Sequence, residues 1–157
     1  MLDDRVRAVH KARATIAISR VDWRARLVVA LDAREHGRYD EAQVLLDEAA
    51  RLAPREPDVL LTLGDNLLRT NRPAEAADVF DRLESFAPGD PRTRLGRGWA
   101  AALQGHDADA ADLWRPVVSY ADDAATLKRM NEIYSAAGDE GTLAVVRQRM
   151  HALGVTP

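Results

Sequence analysis

The chain of 157 residues contains no cysteine. That excludes disulfides, thiolate metal sites and a cysteine nucleophile, and it fits a reducing compartment. Aromatic residues are scarce, at 5%, while 46% of residues are in the hydrophobic set. Alanine and leucine must therefore fill the interior, as in closely packed helices of high intrinsic propensity. No apolar run approaches the ~18 residues needed to span a bilayer. The opening residues Met1 to Asp4 carry no apolar signal-peptide core. The expectation is a soluble cytoplasmic protein, with membrane binding disfavoured.

Catalytic signatures are missing as well. There is no G-x-S-x-G elbow and no G-x-x-x-x-G-K phosphate loop. The four histidines, His10, His36, His106 and His151, form no paired i, i+4 ligand set. His106, Asp107, Asp109 and Asp112 are the most metal-like group, but acids at this place suit the positive end of a helix. Gly96-Arg97-Gly98 falls in a helix-period stretch and reads as helix packing. No catalytic residue, metal site or cofactor is assigned, and the chain reads as a non-enzyme.

Net charge is -3, which argues against general nucleic-acid affinity. The charge is uneven. Residues 1–26 hold seven basic and three acidic groups, a net of +4, and the remainder carries -7. A basic amphipathic helix can lie on an anionic membrane or an acidic partner. The alternative is a solvated face that complements the acidic body, and the modest apolar set Val6, Val9 and Ile16 favours it.

What the chain does contain is a repeat. Gly37 to Ala42 aligns with Asn71 to Ala76 and with Gly105 to Ala110, at a period of 34 residues. Pro54 and Pro88 follow Ala42 and Ala76 by the same interval. In the middle repeat Leu60, Leu63, Gly64 and Leu67 lie on one helix face. Asn71 suits a left-handed helix terminus, and Pro73 suits the first turn of a second helix. That helix turns Ala76, Val79, Phe80 and Leu83 inward until Pro88 stops it. Asp90-Pro91 then opens the next hairpin as N-cap and first-turn proline.

Leu60, Leu63-Gly64, Leu67, Ala76, Phe80 and Pro88 resemble the tetratricopeptide repeat at each of its marked places. The resemblance implies an all-α fold: a right-handed superhelical solenoid of antiparallel helix pairs. Three repeats (23–56, 57–90 and 91–124) would follow an N-terminal basic helix (1–22), and a degenerate fourth hairpin (125–157) would cap the array. The first repeat is looser, with Val29-Ala30 for Leu-Gly and Leu46 for the aromatic. The third keeps Gly98, Gly105, Ala110 and Trp114. It departs at Arg94, Arg97 and Asp122, and Pro116 should kink or shorten its second helix. The fourth runs one residue out of phase, with Leu127, Met130 and Tyr134 in one helix, Gly138-Asp139 at the turn and a second helix over 140–152. Residues 3–20 also read as a helix. Extending the period backwards puts Ala8 at the small inward place of Ala42. This helix either packs on the first repeat or serves as a binding arm.

The resemblance further implies a concave face lined by the first helix of each pair. Its members would be Arg24, Leu27, Leu31 and Arg34, then Asp58, Leu61, Asp65 and Leu68, then Arg92, Leu95, Trp99 and Ala102, then Lys128, Glu132 and Ser135. Trp99 is either an anchor for a partner or core filler against the helix of Trp114. Arrays that clamp a terminal carboxylate of heat-shock chaperones use basic and amide side chains at set places. Leu27, Leu31, Thr62 and Gly96 stand at four of those and only Arg92 agrees, so such a clamp is not expected. The implied function is a protein-interaction module or adaptor holding a peptide or helix. Self-association through the terminal helices is the rival reading. Size and plan also resemble small secretion chaperones of this family, in architecture alone.

Overall fold

The computed structural model describes residues 2–18 and 21–156. Their regular structure is helical throughout, in two compact units, Met1–Ala87 and Pro88–Pro157. Both are built from paired antiparallel helices, the all-α helical-repeat solenoid class that the 34-residue period implies.

The first unit holds α1 (Leu2–Ile18), α2 (Trp23–Glu35), α3 (Tyr39–Leu52), α4 (Pro57–Arg69) and α5 (Pro73–Phe86). Each helix packs on the next, and α2 also touches α4. Local chemistry sets the boundaries. The Asp22 carboxylate accepts from the Ala25 N–H at 2.9 Å and starts α2. Pro57 and Pro73 open α4 and α5, where a proline forfeits no hydrogen bond. Asn71 has φ 56° and is the sole non-glycine with positive φ among the described residues. It occupies the place of Gly37, φ 71°, one period later. Beyond these two residues the Arg38 and Arg72 N–H groups reach back five residues, to Ala33 O at 2.8 Å and Leu67 O at 2.9 Å, closing both hairpins alike.

Packing explains the small residues of the period. A Cβ added at Gly64 would lie 2.5 Å from the Phe80 ring, so α4 and α5 approach closely only because that carbon is absent. Ala42, Leu46, Leu60, Ala76 and Phe80 are fully buried. Buried Asn66 ties α4 to α3, donating from Nδ2 to Tyr39 O at 3.1 Å and to Gln43 Oε1 at 3.0 Å.

Of the two readings for the N-terminal helix, α1 realises the packed one. Ala12 is buried with Ala25 and Val29, and Ile16 and Leu45 flank them. Arg5 pairs with Glu35, and Arg13 pairs with Glu41 at 3.3 Å. The basic segment thus complements the acidic body, in pairs exposed enough to contribute little individually. The expected register does not hold: Ala8 is exposed. The helix instead buries the i, i+4 pair Ala12 and Ile16, which leaves Arg5 and Arg13 within reach of the two glutamates. Positions 19 and 20 of the predicted helix lie outside the described residues.

The second unit holds α6 (Pro91–Leu103), α7 (Asp107–Trp114), a 3-10 helix (Arg115–Tyr120), α8 (Ala124–Ala137) and α9 (Glu140–Ala152). The Pro116 effect is plain: α7 ends after eight residues and the chain tightens into the 3-10 turn. Asp123 and Asp139 cap α8 and α9 through the Thr126 and Thr142 N–H groups at 2.9 and 3.0 Å. Gly138, φ 68°, ends α8 at the out-of-phase position. Trp114, Leu127, Met130, Tyr134, Leu143 and Val146 form the core, with Trp99 and Leu95 packed on it. Gly98 repeats the role of Gly64, since a Cβ there would overlap the Trp114 indole. That indole donates to Leu95 O at 3.0 Å, a bond that Phe80 cannot make. Arg94 and Arg97 are half-buried at places where Leu60 and Leu63 are buried.

Candidate functional site

The exposed faces of the first helices are the candidate binding surface, and each unit presents its own. In the first unit α2 carries Leu27, Leu31 and Arg34 at i, i+4 and i+7, a stripe about 10 Å long. Leu31 is 40% exposed and Leu27 half-buried. On α4, Leu68 is half-buried and Asp65 exposed. Leu61, expected on the same face, is only 9% exposed. It belongs to the core and offers a partner little surface. Arg24 stacks its guanidinium 4.3 Å from the Trp23 ring centroid, and the Thr62 hydroxyl donates to Asp58 O at 2.7 Å.

Arg34 and Asp65 are brought together, though loosely. The guanidinium NH2 lies 3.8 Å from Asp65 Oδ2, beyond hydrogen-bond distance. The Arg34 side chain is 18% exposed, and its Nε is buried without an acceptor. Burial pushes its pKa down, Asp65 partly offsets this, and the nearby Arg69 lowers it again. Arg69, in the last turn of α4, is the member of this face that the repeat pattern does not mark. Its signal in the sequence is the i+4 spacing from Asp65 on the same helix.

In the second unit Trp99 packs on the core and leaves part of its ring uncovered. It packs edge-on against Trp114, with centroids 5.9 Å apart and planes at 79°. Its Nε1 donates to Thr126 Oγ1 at 2.6 Å, and that hydroxyl donates to Asp123 Oδ2 at 2.5 Å. The ring is half-buried, so part of its surface stays open. Leu95 is half-buried beside it, Ala102 is buried and Lys128 is exposed. Arg92 is exposed but committed to Asp90, with NH2 to Oδ2 at 2.8 Å. Gly96 is buried. Arg92 alone is the basic group the carboxylate-clamp pattern requires, and it is already paired.

The acids at the start of α7 serve structural pairs. Asp107 meets Arg129 at 2.7 Å, and Asp112 meets Arg115 at 2.8 Å. Among the described residues no group of three or more histidines and carboxylates is placed to hold a metal ion. No described helix is long and apolar enough to cross a membrane.

Fold and surface together define a class, a helical-repeat array of paired antiparallel helices that presents helix faces. Residues 33–98 match the tetratricopeptide repeat family model. That match covers under half of the chain and marks this segment as similar to tetratricopeptide repeats. No curated protein sequence matches it. Solved structures show the same fold at low identity. MamA (residues 41 to the end) from Desulfovibrio magneticus RS-1 is 16% identical, with a TM-score of 0.76 over 96% of this chain and 85% of that one. PilF of Pseudomonas aeruginosa is 20% identical, with a TM-score of 0.74 over 92% and 66%. YrrB, described as "a TPR protein with an unusual peptide-binding site", is 17% identical, with a TM-score of 0.72 over 96% and 78%. What these structures share with the chain is the fold of paired antiparallel helices.

Proposed function

We propose that this protein is an adaptor that holds a segment of a partner protein against the faces of its first helices, foremost the α2–α4 face. The observation that carries this reading is the incompletely covered stripe Leu27, Leu31 and Leu68, with Arg34 and Asp65 at its edge. Here apolar surface stays open beside Arg34 and Asp65, whose ion pair is 3.8 Å long. An amphipathic helix or an extended peptide with apolar side chains fits such a strip. A peptide-binding site on one structure of the same fold, YrrB, supports the reading.

The second unit offers a smaller patch around Trp99, Leu95 and Lys128. Tryptophan supplies large contact area with few rotatable bonds, which suits it to an anchoring place.

Affinity capture from the native cell tests the reading. Leu31→Glu sets a charge in the stripe at an exposed position, so helicity and melting temperature should stay near the parent values. The partner recovered by the parent should be lost. Equal recovery by Leu31→Glu would remove the α2–α4 face from the function. A stable homodimer in light scattering, dissociated by removing residues 1–20, would favour self-assembly instead.

A further inference from the structure

The first repeat holds α1 by a narrow seam. Of residues 4–17 only Ala12 is buried; Val9, Thr15 and Ile16 are half-buried and the rest are exposed. The seam sets Ala12 against Ala25 and Val29, with Ile16 and Leu45 at its flanks. Two ion pairs add to it, Arg5 with Glu35 and Arg13 with Glu41, and all four side chains are roughly half exposed. Pairs of that kind contribute little and are screened by salt. A helix of 17 residues draws its stability mainly from packing. With so little of it, α1 belongs to the parts that open locally before the fold does.

The seat under α1 is only partly filled. One, two and three periods after Ala12 stand Leu46, Phe80 and Trp114, all fully buried. Where the repeat carries a large residue, α1 offers an alanine. Beside it an open groove of about 380 Å³ lies between α1 and α3, lined by Arg13, Ile16, Val29, Glu41, Val44 and Leu45. Val44, on the α3 wall, is 60% exposed. A helix that ends a repeat array has a polar outer face because it meets water. That accounts for exposed Arg7 and Lys11, but not for apolar surface left open beside the seam.

We propose that α1 is a displaceable placeholder, and that its seat on the α2–α3 hairpin takes a partner's basic amphipathic helix with a large apolar residue at the place of Ala12. Charge complementarity selects this occupant. Glu35 and Glu41 border the seat, and α1 already meets both with arginines. Size selects the rest. Larger side chains at the places of Ala12 and Ile16 fill the groove over Val29, Val44 and Leu45 and bury apolar area that α1 leaves wet. A helix docked in such a groove is read through apolar anchors at i and i+4. The hairpin also packs on α4, so it keeps its form when α1 leaves. The seat shares no lining residue with the Leu27, Leu31 and Leu68 stripe and stands or falls apart from the α2–α4 face.

Hydrogen exchange of the full chain, read by mass spectrometry, tests this with a synthetic probe: the sequence of residues 2–18 carrying Ala12→Leu. Without the probe, the α1 amides should exchange at least about tenfold faster than those of α2 and α3, and faster again in high salt. The probe should bind, protect α2 and α3, and speed exchange in the chain's own α1. The unaltered sequence of residues 2–18 should bind about tenfold more weakly or worse. Val44→Glu, at an exposed position that α1 leaves uncovered, should abolish probe binding while the chain stays folded. Protection of α1 equal to that of α2 and α3 would overturn the placeholder. A probe that fails to bind, binds without loosening α1, or ignores Val44→Glu would overturn the seat. Exchange in α1 that slows as protein concentration rises would assign the seat to α1 of a second copy and overturn the foreign helix.

Discussion

The Trp99 indole donates to the Thr126 hydroxyl at 2.6 Å, so the open face of α6 is tied to the first turn of α8. Thr126 passes the bond on to Asp123, the residue that caps α8. The side chain proposed as an anchor is thereby fixed in orientation. A preorganised aromatic loses less freedom on binding than a mobile one.

Trp99→Ala should therefore destabilise the second unit by about 3 kcal/mol, since it removes both the packing on Trp114 and the hydrogen bond. Trp99→Phe keeps most of the packing and should lose about 1 kcal/mol. Urea denaturation followed by circular dichroism separates the two. Equal losses would mean that the Thr126 bond contributes nothing.

The close approach of α4 and α5 makes a second prediction. Gly64→Ala places a methyl against the Phe80 ring and should cost about 1–3 kcal/mol by overpacking. Phe80→Leu makes room, so the double variant should be more stable than the two single losses sum to. A double-mutant cycle in denaturant measures that coupling.

Asn71 marks where the period meets backbone strain. Its φ of 56° is costly for a side-chain-bearing residue, although asparagine tolerates it better than most. Asn71→Gly should raise stability by a few tenths of a kcal/mol, while Asn71→Ala should lower it by about 1 kcal/mol. Thermal melts of the three forms give the order directly.

Tyr134 predicts an alkaline limit. Burial pushes its pKa up from 10.0 to about 12, and its hydroxyl donates to Ala111 O at 2.7 Å. The folded value lies above the unfolded one, so this stabilisation is complete below pH 10 and is lost as pH rises from 10 toward 12. Stability measured across that window should fall in the parent protein. The fall should be shallower in Tyr134→Phe, which has no phenol to ionise, although that variant starts lower because Ala111 O loses its donor.

Much of this was legible in the sequence because the 34-residue period reports backbone geometry. Positive φ at Gly37, Asn71 and Gly105 and the small residues beneath Phe80 and Trp114 must recur wherever the hairpin recurs. Pro116 was equally readable, since a missing N–H acts locally. Three features were not. Ala8 gave way to Ala12 because the rotation of α1 is set by its packing on Ala25, Val29 and Leu45, which the period does not report. Leu61 went into the core because a face predicted from spacing carries no information on how deeply a neighbouring helix covers it. Arg69 went unmarked because its charge acts on Arg34 from a different helix, which the repeat pattern does not report.

The central claim is that the α2–α4 face holds the partner. Site-specific photo-crosslinking tests it most directly, with a benzophenone side chain at Leu31 on α2 or at exposed Ser85 on α5. Irradiation in the native cell should join the partner to the Leu31 form and not to the Ser85 form. A partner joined at Ser85 and not at Leu31 would contradict the account.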